Sequence, residues 1–115
     1  MTIGKVVVVN KCTFDGEYIY IGRGSVLGNQ FSVQIYGREV CIAKYRIYMN
    51  EALKLKTHPV TIAINDIIKS VLAGETVYLG CYCKPKSCHG DLIKEYVDRA
   101  VYRIQSRIPK LIRLQ

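Results

Sequence analysis

Thr76-Val77-Tyr78-Leu79-Gly80-Cys81 runs directly into Tyr82-Cys83-Lys84-Pro85-Lys86-Ser87-Cys88-His89-Gly90-Asp91. The first six residues are β-branched, aromatic and apolar over too short a run for a helix, which predicts a strand. Pro85 turns the chain. A helix is expected to start near His89, capped by Ser87 or Cys88. Asp91 then falls in its first turn, where a negative charge suits the helix dipole. Ile93, Tyr96 with Val97, Ala100 and Ile104 recur at helical spacing and mark its buried stripe. Pro109 is expected to close this helix, leaving residues 110–115 as a frayed tail or a short edge strand.

Outward from this block, Val6-Val7-Val8-Val9 reads as a buried central strand. Thr13-Phe14-Asp15-Gly16 is a turn, and Glu17-Tyr18-Ile19-Tyr20-Ile21 a second strand. A helix is expected over 38–55, with Cys41, Tyr45, Tyr48, Ala52 and Leu55 on one face. Thr57-His58-Pro59 breaks the chain. A shorter helix follows over 61–72, burying Ile64, Ile67, Ile68, Val71 and Leu72 and stopping at Gly74. The order β-β-α-α-β-α predicts a single-domain α/β sandwich over residues 1–115, with helices packed on a short, mostly parallel sheet. If the strands before residues 22 and 81 run the same way, the loops that follow them meet at one rim. Ligands of such sheets bind beyond the carboxyl ends of the strands.

At 115 residues the chain has room for one domain. Half of its residues are hydrophobic and 23% are charged, a balance that excludes intrinsic disorder. No apolar run approaches the roughly 20 residues that cross a bilayer, and the start of the chain does not read as a secretory signal. The expectation is a cytoplasmic protein with no membrane partner. The formal charge of +8 favours anionic partners, although for a small cytosolic protein solubility alone is the commoner reason for such a charge. Five cysteines, an odd number, argue against a disulfide framework in that compartment.

Cys81, Cys83, Cys88 and His89 fall within nine residues. One reading is a zinc site made of these four. Its spacing is awkward, because adjacent residues at a helix start point about 100° apart. A second reading is a functional thiol: Cys88 sits at a helix N-terminus beside Lys84, Lys86 and His89, all of which favour thiolate. The same helix start with the two lysines suits a phosphate or carboxylate. A third reading is packing, which is adopted for Cys12 and Cys41.

Gly22-Arg23-Gly24-Ser25 offers backbone N–H groups, a guanidinium and a hydroxyl after a strand, parts that suit an anion. No Gly-Lys-Ser/Thr follows, so it is not a P-loop, and its glycines miss the dinucleotide fingerprint. Asn29 reads either as a contact to a base or ribose edge or as a turn cap. In the last helix Arg99, Arg103 and Arg107 form one stripe, with Glu95 placed to pair with Arg99. From Val77 onward eight basic residues face three acidic ones, a surface that suits either solvation or a nucleic-acid backbone. Tyr36, Tyr45, Tyr48, Tyr78 and Tyr82 suit base stacking or packing.

Three segments together carry a resemblance: Tyr20-Ile21-Gly22-Arg23-Gly24-Ser25-Val26-Leu27-Gly28-Asn29-Gln30-Phe31, then Ala43-Lys44-Tyr45-Arg46-Ile47-Tyr48, then Leu79 to Ile93. The chain resembles a family of phage and bacterial proteins known as domain of unknown function 4326. That family's pattern has an Ile-Gly-Arg start, a Gly-Asn-Pro-Phe turn, a Tyr-Arg helix and a Cys-Trp-Cys-Lys-Pro…Cys-His block. Here Gln30 stands for the proline of the turn and Tyr82 for the tryptophan. The resemblance implies a phage or mobile-element setting and no reaction.

These readings lead to one expectation: a pocket for a nucleotide or other phosphate-bearing small molecule. Gly22, Arg23, Gly24, Ser25 and Asn29 form one wall, and Lys84, Lys86, Cys88 and His89 the other. If the pocket is catalytic, Cys88 is the nucleophile and His89 or Asp91 carries the proton. No cofactor is required. The alternatives are a zinc-stabilised nucleic-acid-binding module, with Cys81, Cys83, Cys88 and His89 on the metal, and an inhibitor of a host protein. A homodimer is left open. Replacing Arg23 or His89 by Ala is expected to remove binding and spare stability.

Overall fold

The computed structural model describes residues 3–113, with side chains to 107. Its elements are β1 (Lys5–Asn10), β2 (Ile19–Tyr20), α1 (Val33–Tyr36), α2 (Arg38–Ala52), α3 (Pro59–Leu72), β3 (Thr76–Cys81) and α4 (His89–Arg113). The fold is α/β, and all three strands are parallel. The sheet order is β1-β3-β2, so β3 is central and the valine strand lies at an edge, contrary to its sequence reading. Only Val6 of the four valines is fully buried, because β1 has one partner strand and one helix-covered face.

Period-two alternation sorts the sheet into two faces. Val6, Val77, Leu79 and Cys81 are buried beneath the helices. α4 packs on β1 and α3 on β3, and α2, α3 and α4 all touch one another. The opposite face carries Tyr78 and Gly80. It is covered by the 11–18 segment, which must travel back along the sheet because β2 is parallel to β1 yet lies beyond β3. Phe14 stacks on Tyr78 at 4.5 Å between ring centroids. The Tyr18 ring lies so close over Gly80 that a Cβ there would overlap it.

Helix boundaries follow local chemistry. α3 begins two residues earlier than its periodicity suggested. His58 Nδ1 accepts the Val60 N–H at 3.1 Å, and Pro59 occupies the first helical position, where no N–H is needed. The Thr57-His58-Pro59 break is therefore a helix start. α2 ends at Ala52, and Leu55 is exposed beyond it; Met49 takes the buried position instead. α1 was not foreseen and is separated from α2 by Gly37, whose φ of 80° ends the first helix.

α4 does not close at Pro109 but continues to Arg113; Leu114 and Gln115 lie outside the described residues. Leu92, Ile93, Val97 and Val101 are buried, whereas 102–107 are all exposed, Ile104 included. The helix has left the body by then, so its apolar spacing meets no partner. Arg103 and Arg107 lie on this arm, and Arg99 pairs with Glu95 at 2.7 Å as expected. Among the described residues no helix is long and apolar enough to cross a membrane.

Candidate functional site

Three parallel strands deliver their carboxyl ends to one rim. Asn10 ends β1, Ile21 follows β2, and Cys81 ends β3. α4 starts at the same rim, very close to the sheet. A Cβ on Gly90 would lie 2.8 Å from Ile21 Cδ1 and 3.0 Å from Val8 Cγ1, so a larger residue would have to push these side chains aside. The 22–29 and 81–89 segments therefore meet, and a cavity of about 410 Å³ lies between them. Gly22, Arg23 and Asn29 line it on one side, and Cys81, Tyr82, Cys83, Ser87, Cys88 and His89 on the other. The mouth is completed by Phe31 to Gln34 and by Arg38, Cys41 and Ile42 at the start of α2.

The glycine segment is held at both ends from the helices. His89, buried, lies with Nε2 2.6 Å from the Ile21 carbonyl; a carbonyl only accepts, so Nε2 carries the proton. Tyr45, fully buried on α2, donates its hydroxyl to the Leu27 carbonyl at 2.8 Å. The two rings pack with centroids 4.8 Å apart. Burial lowers the His89 pKa and raises that of Tyr45, so both stay neutral. Within the loop, Ser25 Oγ donates to the Gly22 carbonyl at 2.6 Å and the φ of Gly24 is 89°. Ser25 thus shapes the turn and does not line the cavity. Asn29 accepts the Phe31 N–H at 2.9 Å and donates to the Cys41 carbonyl at 3.2 Å, so its amide is engaged by the chain.

The cysteine segment is tied to β1 by Asn10, whose Nδ2 donates to the carbonyls of Tyr82 at 3.3 Å and Lys84 at 2.8 Å. Asp91 Oδ2 accepts the Cys88 N–H at 3.1 Å, a helix cap, while Oδ1 holds Lys84 Nζ at 2.6 Å. Lys84 faces outward to this carboxylate, and Lys86 is exposed; neither lysine lines the cavity. The cationic wall is built instead from Arg23 and Arg38. Arg38 Nη1 donates to the Ser87 carbonyl at 3.0 Å and so bridges α2 to the cysteine loop. Among the described residues no carboxylate lies within salt-bridge distance of either guanidinium, and none lines the cavity.

At the cavity floor Cys81 Sγ and Cys88 Sγ lie 3.3 Å apart. The Cys88 S–H directed at Cys81 holds the Cys81 thiol well below its ordinary value, helped by the backbone N–H groups of Cys83 and Lys84. Cys88 is pushed up by that same bond and by burial. Cys83 Sγ joins them, all three sulfurs lying within 4.8 Å of one another. His89 is not part of this group, since its ring turns to Ile21, as the adjacency of residues 88 and 89 foretold. Cys41 is buried at the cavity wall, whereas Cys12 is exposed and packs against no core.

Sequence reasoning missed Asn10, Arg38 and Tyr45. Arg38 carried a signal: a cation at the first residue of a helix opposes the dipole, and such a local violation marks a site. Tyr45 was read as core, and only its hydroxyl partner reveals its role. Of the five tyrosines suited to stacking, Tyr82 lines the cavity at 58% exposure, while Tyr45 is core and Tyr78 lies under Phe14.

Fold and site together define a small α/β protein with a basic, thiol-floored cavity at the carboxyl ends of a parallel sheet. The chain belongs to the family described as Domain of unknown function (DUF4326), whose model matches residues 9–99. That span contains every residue of the cavity and stops before the exposed arm of α4. A similar protein is the uncharacterized 12.4 kDa protein in the nrdA-td intergenic region of Enterobacteria phage T4, 33% identical over 92 residues, which cover 80% of this chain and 77% of that protein. No solved structure matches the chain.

Proposed function

We propose that the cavity binds a nucleotide or another phosphate-bearing small molecule, in the cytoplasm of a phage-infected or phage-derived host. The observation that carries this reading is the pair of guanidiniums, Arg23 and Arg38, set over a cavity whose lining contains no carboxylate. Two cations with no carboxylate within salt-bridge distance among the described residues, beside the start of a long helix, favour an anion. Phe31, Tyr82 and Ile42 supply flat and apolar surface for a base, and the volume lies within the range of small-molecule sites.

The arrangement supports binding more than acid–base chemistry. His89 is committed to Ile21 and Asp91 to Lys84 and the Cys88 N–H, so each proposed proton carrier already holds the scaffold. Calorimetric titration with inorganic phosphate, nucleoside monophosphates and nucleoside diphosphates tests the proposal. Binding of at least one of these, weakened tenfold or more by Arg23→Ala and by Arg38→Ala, is the expected result. No binding at millimolar concentration, or affinities that ignore both substitutions, overturns it. Preference for a single-stranded oligonucleotide with a steep salt dependence would instead favour the nucleic-acid reading.

A further inference from the structure

The geometry points to a metal site in the cavity floor: Cys81, Cys83 and Cys88 form a three-sulfur set for zinc or a similar thiophilic divalent cation, with its fourth position open to the cavity. The three sulfurs come from the end of β3, the residue after its first turn position, and the cap of α4. Zinc–sulfur bonds of about 2.3 Å at tetrahedral angles separate sulfurs by about 3.8 Å. The sulfurs here lie 3.3 Å apart for Cys81 and Cys88 and within 4.8 Å for all pairs, so shifts of a few tenths of an ångström to about 1 Å bring them onto one ion. The ligands sit on rigid supports: Cys81 is the last residue of the central strand, and Asp91 caps the Cys88 N–H.

No further Cys, His, Asp or Glu among the described residues joins the group. All three cysteines line the cavity, so the remaining position faces the space bounded by Arg23 and Arg38. Three protein ligands with a vacant fourth position are the pattern of zinc sites that bind water or a ligand, in contrast to closed structural sites. A divalent cation on the sulfurs would offer an electrophilic partner to a phosphate oxygen at the open position. Loading displaces the thiol protons to solvent. The three-sulfur set does not depend on the proposed anion binding; only the identity of the fourth ligand rests on that reading.

Cobalt(II) titration of the reduced full-length protein under anaerobic conditions tests the site. One equivalent should produce a sulfur-to-cobalt charge-transfer band and the intense visible bands of a tetrahedral centre, displaced by zinc. Cys83→Ser should lower the charge-transfer intensity by about a third, as one of three sulfurs is lost. Cys83 is half-buried and, among the described residues, its thiol makes no hydrogen bond, so this variant tests ligation with little cost to folding. His89→Gln should leave the sulfur band in place. Absorption-edge fine structure of the zinc-loaded wild type should count about three sulfurs, a measurement that needs no variant. Absence of the band at stoichiometric cobalt, or a band unchanged in Cys83→Ser, overturns the site. Inorganic phosphate should shift the visible bands. Three sulfurs with bands insensitive to phosphate would uphold the metal and count against an anion as its fourth ligand.

Discussion

The 22–28 and 82–88 segments leave parallel strands at the same rim and face each other across one cavity, yet they are held by different means. The glycine segment is shaped from within by Ser25, whose hydroxyl and N–H both reach the Gly22 carbonyl. Its ends are gripped by buried rings from two helices, His89 on the Ile21 carbonyl and Tyr45 on the Leu27 carbonyl. Arg23 is then left exposed at the mouth, with no carboxylate among the described residues within salt-bridge distance. The cysteine segment is the reverse. Asn10 and Asp91 hold its backbone, its lysines turn outward, and its thiols turn in. The loop with one basic residue thus contributes a guanidinium, and the loop with two contributes sulfur. Charge counted along a loop does not say which way the charge points.

The comparison can be broken most forcefully at the clamps. His89→Ala leaves the buried Ile21 carbonyl without its donor, and Tyr45→Phe does the same to Leu27. Each should cost about 1–3 kcal/mol in denaturant unfolding. This replaces the expectation that His89→Ala would spare stability, since the ring is buried and load is placed on its hydrogen bond. The rings touch, so the double variant should be non-additive, and strict additivity would mean that the loop is clamped at two independent points.

Next in size is the division of charge. Arg23→Ala or Arg38→Ala should weaken phosphate-ligand binding about 10- to 100-fold, the value of one charged hydrogen-bonding group. Lys86→Ala should change affinity less than about twofold, because an exposed cation outside the cavity contributes only screened attraction. Equal losses at Arg23 and Lys86 would erase the distinction between the loops. Asp91→Ala removes the cap of α4 and should cost about 1 kcal/mol of stability. Its effect on binding should be smaller than that of either arginine.

Tyr45 also sharpens the comparison through pH. Its buried phenol has a raised pKa, so the folded state keeps a proton that the unfolded chain loses above about pH 10. Stability from this group is present below pH 10 and declines as pH rises above it, by up to about 1.4 kcal/mol per pH unit. Thermal melts between pH 9 and 11 should therefore fall less steeply for Tyr45→Phe than for the parent chain. Identical slopes would place the Tyr45 hydroxyl in contact with water.

Much of the fold was readable because it rests on local pattern. The 76–81 strand has its predicted bounds, α4 begins at His89, and the buried positions of α3 follow their 3.6-residue period. Failures came where distant neighbours decide. The valine run is hydrophobic enough for a central strand, but β3 inserts between β1 and β2 after three intervening helices. Leu55 and Ile104 keep helical spacing with nothing to cover them, since α2 has ended and α4 has passed the edge of the body.

From sequence alone came the α/β class, the family, and the expectation that a glycine segment and a cysteine segment face one ligand. These rest on short-range facts: strand and helix periods, turn residues, and the rule that parallel strands present their carboxyl ends together. Tertiary structure alone settled which side chains enter the cavity. Lys84 is drawn outward to Asp91 and Ser25 back onto its own loop, while Arg38 arrives from a helix far along the chain. A side chain's direction depends on the hydrogen-bond and ion-pair partners within its reach, and those partners become neighbours only when the chain is folded.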